Sequence, residues 1–182
     1  MQKMERNYRR WKENNKPYRI AFVLAIVVFM ICAPEVNDGS AMTPTLNDGD
    51  ALIVSKTTYN PKRKPPEQDA MIIMEKTYAP EVSEDNIIAR VAAQPGDTIE
   101  IKNGKVLVNG EEYVTGNGIK GAPEDMKEIK LKNDEVFLLC DNRDELIDSR
   151  NPDLGPVDIR EIKGNVIVRV WPFSEVKFLN NR

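Results

Sequence analysis

The 182-residue sequence contains no histidine. That absence excludes every mechanism in which an imidazole activates a serine or a cysteine, and it weighs against a zinc site. Cysteine is nearly absent too, with two residues. Cys32 lies inside an apolar run and Cys140 far outside it, so the two are not expected to meet and no disulfide is expected. With no second cysteine or histidine nearby, Cys140 reads as a small buried hydrophobe rather than a metal or redox residue. Apolar runs of membrane length are also scarce: there is one, residues 20–34, and no second long helical pattern follows it. No repeat is visible beyond the Asn-Gly hairpin signals.

What is present begins with an uneven charge. Residues 1–19 carry seven Lys/Arg against Glu5 and Glu13, a net +5 that leaves -8 on the rest of a chain totalling -3. A short basic arm abutting an apolar run sets membrane orientation more often than it binds nucleic acid. The run, Ile20 to Pro34, is near the short end of what spans a bilayer. Tyr18 and Val36 extend it, and Arg19 can snorkel to the interface. No small-x-small cleavage pattern directly follows, which disfavours a cleaved leader. The expected organisation is a basic cytoplasmic segment over residues 1–19, a single-pass membrane anchor over 20–36 and an extracytoplasmic domain over 37–182.

From Asp50 onward the pattern is short β-rich runs between turn signals, which predicts a mainly β domain. Strands are expected at 51–54, 70–74, 87–92, 98–101, 106–108, 135–140 and 165–171. Asn103-Gly104 between two of them is a hairpin signal, with Asn109-Gly110 beyond. Residues 57–68 and 76–86 read as polar connections, and 114–133 as an exposed insertion. Asp141, Asp144, Glu145 and Asp148 cluster around Arg143 and Arg150. Their spacing does not match an EF-hand loop, and ion pairing is the expected role. Neither a metal nor another cofactor is expected.

Between the anchor and the strands lies Gly39-Ser40-Ala41-Met42-Thr43-Pro44-Thr45-Leu46. Gly39 and Pro44 restrict the backbone on either side of the segment they enclose. The run resembles the nucleophile box of type I signal peptidases, Gly-x-Ser-Met-x-Pro-Thr-Leu. Further boxes follow in order. Asp50 to Lys56 is similar to the family's Gly-Asp-x-Val-x-Val-x-Lys segment. Ala89-Arg90-Val91 with Pro95-Gly96-Asp97 is similar to its Lys-Arg-Val…Pro-Gly-Asp box. Cys140-Asp141-Asn142-Arg143, then Asp148-Ser149-Arg150 and Gly155, resembles Gly-Asp-Asn-Arg…Asp-Ser-Arg…Gly, and Trp171-Pro172-Phe173 also fits.

The resemblance implies an antiparallel β-sheet domain of signal-peptidase type behind one N-terminal transmembrane helix. It also implies a serine nucleophile activated by a neutral lysine, whose pKa burial lowers. In this register the serine position is Ala41 and the lysine position is Ala89. A methyl group can neither attack a carbonyl nor accept a proton. The family serine that hydrogen-bonds the lysine corresponds to Leu146, the glycine before Asp-Asn-Arg to Cys140, and the pair before Pro95 is Ala93-Gln94.

Ser40 neighbours Ala41, but one residue's shift in an extended segment would turn it away from position 89. Lys56 matches a different family lysine. Arg90, Asp141, Asn142, Arg143, Asp148, Ser149 and Arg150 are expected to form the structural framework. Gly39, Ser40, Met42, Pro44, Ile87 and Ile88 are expected to line a groove where an extended peptide adds to the sheet edges.

Two readings of the alanines stand. The first is a natural non-catalytic homologue that binds signal-peptide-bearing preproteins or pilin subunits at the membrane, and no nucleic acid, like dyad-less Gram-positive members of the family. The second is an active signal peptidase I whose Ser and Lys were exchanged for alanine. The departures at Cys140, Leu146 and Gln94 favour the first. Self-cleaving repressors with a similar serine-lysine core carry a DNA-binding unit in place of the apolar run.

Overall fold

Residues 11, 15–57, 64–75, 86–115 and 119–179 are described by the structure, a computed structural model. The basic segment apart from Trp11 and residues 15–19, much of both polar connections, and residues 116–118 of the insertion lie outside them. Helix α1 covers Lys16–Ile31, with Pro17 in its first turn and no buried residue. Pro suits a first turn because its missing N–H has no partner there anyway. At about 1.5 Å per residue, α1 rises about 24 Å, less than the ~30 Å hydrocarbon core. No helix among the described residues is long and apolar enough to cross a membrane.

The anchor expected over residues 20–36 is helical only to Ile31. Cys32–Val36 is instead strand β1, paired antiparallel with β2, Ala51–Ser55. Pro34 accounts for the change, since it cannot donate to a helix and drives Ala33 before it into extended conformation.

The remaining strands are β3 (Met71–Glu75), β4 (Asn86–Ala93), β5 (Thr98–Lys102), β6 (Lys105–Val108), β7 (Glu111–Glu112), β8 (Met126–Lys130), β9 (Glu135–Leu139), β10 (Val157–Asp158), β11 (Ile162–Trp171) and β12 (Lys177–Phe178). They form two antiparallel sheets. The larger runs β1-β2-β11-β3-β4-β9-β10, with β12 also on β11, and the smaller runs β7-β6-β5-β8. The hairpin expected at Asn103-Gly104 joins β5 to β6, and both its residues have positive φ, 53° and 73°. Asn109 and Gly110, at 54° and 82°, turn β6 into β7 in the same way. Positive φ at both central residues is what a type I′ turn requires.

β4 is the spine of the domain. Seven of its eight residues are buried, so it reads as a continuous apolar run rather than an alternating one. Ile87, Ala89 and Val91 pack with Ile72, Val136, Leu138, Val157 and Ile159. Ile88 joins Met42, Leu46, Leu52, Val54, Met71, Ile73 and Val166 in a second cluster. Ala92 and Ala93 reach a third, shared with Ile99, Ile101, Val106 and Val108 of the small sheet. β8 falls inside the stretch expected to be an exposed insertion. Its Met126 and Ile129 pack half-buried against the third cluster, opposite Ile101 and Ile99.

Candidate active site

The octapeptide between β1 and β2 is a turn, not an extended segment. Thr43 donates to the Ser40 carbonyl through its backbone N–H (3.1 Å) and its hydroxyl (2.8 Å), and the Leu46 N–H bonds the Met42 carbonyl at 2.8 Å. Gly39 enters it at φ 86°, where other residues are strained, and its N–H donates to Asp48 Oδ1 at 2.9 Å. The turn sends neighbouring side chains in different directions. Ala41 is 5% exposed and Met42 is fully buried, whereas Ser40 and Pro44 are exposed. The Ser40 hydroxyl donates to Glu145 Oε1 at 2.7 Å.

Ala89 lies in the part of β4 that precedes its pairing with β9. That pairing begins at Arg90↔Leu139, one residue after Ala89 and one before Cys140. Two residues beyond Cys140, the Asn142 N–H donates to the Ala41 carbonyl at 2.9 Å, and its side-chain amide donates to the Ser40 carbonyl at 3.3 Å. Asp141, between them, grips the fully buried Arg90 with both carboxylate oxygens, from Nε at 2.9 Å and Nη2 at 2.8 Å. The hydroxyl of Thr45 reaches the same carboxylate at 2.5 Å. Asp141 and Asn142 therefore tie the turn that carries Ala41 to the strand that carries Ala89.

Burial opposes the charge on Arg90, but the hydrogen bonds and field of Asp141 outweigh it and raise the arginine pKa. Removing the carboxylate would leave that guanidinium buried without its main counter-charge. Asp141→Ala is expected to cost about 3–5 kcal/mol, read from urea unfolding. A cost below ~1 kcal/mol would contradict this role.

The second framework pair is local. Arg150 donates to both oxygens of Asp148 and to the Arg143 carbonyl, while Asp148 Oδ2 accepts the Cys140 N–H at 2.8 Å. The Ser149 hydroxyl accepts the Leu138 N–H at 3.0 Å and so extends the β9 edge. Arg143 is buried with Nη1 and Nη2 unpartnered among the described residues. Burial pushes its pKa down, with Asp148 the strongest opposing influence.

Cys140 is buried, and Cys32, half-buried, is equally free of a disulfide. Burial, reinforced by the carboxylate of Asp148, pushes the Cys140 thiol well above its ordinary 9.0. Above pH 9 the unfolded chain releases this proton and the folded chain keeps it, so Cys140 makes stability fall as pH rises. Brief iodoacetamide treatment of the folded protein is expected to modify Cys32 and spare Cys140. Equal labelling on peptide mass analysis would contradict that environment.

What the site can do chemically is limited by what surrounds the two methyls. Ala89 is 0% exposed and packed among aliphatic side chains. Leu146 is 50% exposed and does not join them. All described lysines, Lys56 included, are exposed, so none has the burial that would turn an amine into a base. Among the described residues no group of His, Cys, Asp or Glu could hold a metal ion. A polar cavity of about 480 Å³ lined by Gln68, Asp69, Gln94, Asp97 and Tyr113 touches neither Ala41 nor Ala89.

Two strand edges border the two positions, but Met42, Ile87 and Ile88, expected to line a groove there, are buried at 0%, 1% and 5% exposure, with Ile87 and Ile88 turned into different core clusters. β1 ends the large sheet, so its outer edge is unpaired among the described residues, and residues 86–89 of β4 precede the pairing with β9. Four antiparallel steps separate the two strands, so they run in the same direction. The two strands come close at one end, where Asn86 Nδ2 donates across to Glu35 Oε2 at 3.4 Å. Sequence reading missed this polar contact. Glu35 lay within the expected anchor, and only Pro34 signalled that it belongs to a strand.

The family model described as "Signal peptidase, peptidase S26" matches residues 11–171. The chain is 33% identical over 180 residues to signal peptidase I P of Bacillus subtilis subsp. natto, covering 91% of each protein. It is 31% identical over 156 residues to the chloroplast thylakoidal processing peptidase 1 of Arabidopsis thaliana, covering 80% of this chain and 44% of that protein. A solved signal peptidase I structure from Enterococcus faecalis aligns with a TM-score of 0.44 at 21% identity, over 56% of this chain and 97% of that one.

Proposed function

The chain belongs to the signal peptidase family, peptidase S26, and from that membership we propose that it is a homologue without the catalytic dyad, one that holds signal-peptide-bearing preproteins without cutting them. The observation that carries this reading is the pair of buried methyls at the two motif positions, Ala41 and Ala89, with the family's framework bonded around them. Loss of the hydroxyl and the amine removes chemistry but leaves the backbone edges of β1 and β4. An extended peptide gains its affinity there from main-chain hydrogen bonds, which need no particular side chain.

The apolar run of α1 supports a location at the cell membrane, with the N-terminus cytoplasmic and the β domain outside. Pilin precursors are the narrower candidate ligand, in line with dyad-less Gram-positive relatives that assist pilus assembly. The test is binding by the full-length protein in detergent, using fluorescence anisotropy with a labelled preprotein and its mature form. Saturable binding of the preprotein and none of the mature form is expected. Equal binding of both, or of neither, would overturn the reading.

A further inference from the structure

The two edges are not uniformly apolar. At the end nearer Ala41 and Ala89, Met42 and Ile88 are buried in the core beneath the two edges. Two residues earlier along β4, on the same face, stands Asn86, and across from it Glu35 of β1. Glu35 shares its face with Leu52, its partner on β2, so the carboxylate points inward. It is half-buried, and the 3.4 Å contact from Asn86 is its one hydrogen bond among the described residues. No cation among them pairs with it. Lys163 is occupied differently, with Nζ donating to Asn86 Oδ1 at 3.0 Å and holding that amide with its N–H₂ turned toward Glu35.

A half-buried carboxylate without a counter-ion is an unfilled acceptor. Most of its cost is removed once a cation or strong donor arrives. We propose that Glu35, positioned by Asn86, selects a basic side chain in the bound precursor, two residues before the one that lies alongside Ile88 of β4. The spacing follows from the pleat. Residues i and i+2 of an added strand face the same side, as Asn86 and Ile88 do on β4. The direction follows from α1, which leads straight into β1 at Cys32. With α1 at the membrane, as proposed above, a precursor whose apolar segment lies in that membrane enters from that end and runs parallel to β1 and β4, so the residue facing Glu35 comes first.

This rests on the peptide-holding reading above and adds a specificity to it. The test uses the full-length protein in detergent with fluorescent signal-sequence peptides that differ at that one position: lysine, leucine or glutamate. Lysine is expected to bind about tenfold tighter than leucine, and glutamate more weakly than either. Glu35→Gln should bring lysine and leucine together, and Glu35→Lys should reverse the order so that glutamate binds best. High salt should weaken the lysine peptide more than the leucine peptide. Tight but equal binding of all three peptides would overturn the selectivity and leave peptide holding intact. Failure of every peptide to bind would overturn both.

Discussion

Incubated with a preprotein, the purified chain is expected to leave it at full length. Rates should lie about 10⁶-fold below those of a catalytic relative, the size of loss seen when a catalytic unit is removed. The reason is local. The side chain at position 41 is a methyl, its neighbour Ser40 is turned outward to Glu145, and no described lysine is buried. A serine bonded to an exposed-side carboxylate lacks the neutral amine that the family chemistry uses. A gel showing a mature-length product that tracks with the purified chain, and persists when Ser40 is changed to alanine, would contradict the assignment of both motif positions.

The second large effect concerns restoration. Ala41→Ser with Ala89→Lys is expected to stay nearly inactive. Position 89 is enclosed by Ile72, Leu138, Val136, Val157 and Ile159, so a lysine there must displace packed side chains. Its ammonium would also be buried without a partner, at a cost on the order of 3–5 kcal/mol visible in urea unfolding. Desolvation would lower its pKa in the useful direction, but position 146, where the family has its orienting hydroxyl, is an apolar, half-exposed leucine. Adding Leu146→Ser should raise activity above that of the pair. Full activity from the two changes alone would mean that the supporting shell is intact and that the alanines were introduced into a working enzyme.

Much of this arrangement could be read from residues alone, for identifiable reasons. Strands β2, β3, β4, β5, β6, β9 and β11 each announce themselves as a short apolar run, most of them rich in β-branched residues, between polar or turn residues. The two Asn-Gly turns need positive φ, which few other residues accept. The framework was legible in part: the expected ion pairing holds for Asp148 with Arg150, but Asp141 pairs with Arg90 rather than with Arg143, whose Nη1 and Nη2 have no partner among the described residues. Strand β1 was hidden because an apolar run leading into it looks the same whether it ends as helix or as strand, and Pro34 alone distinguishes them. β8 was hidden by irregular pairing. A register shift between Ile99 and Ile101 spaces its partners Ile129 and Met126 three residues apart, which erases the two-residue period. The contact between Glu35 and Asn86 joins residues 51 positions apart and needs the curl of the large sheet, which no local pattern encodes.

Hydrogen exchange on the complex with an uncut precursor tests the central claim most directly, because one mass-spectrometric run reports both where the precursor sits and whether it is intact. The account predicts slowed exchange in peptides covering residues 33–36 and 86–89, with the precursor mass unchanged. Protection confined to other parts of the domain, or a precursor shortened to its mature mass, would contradict it.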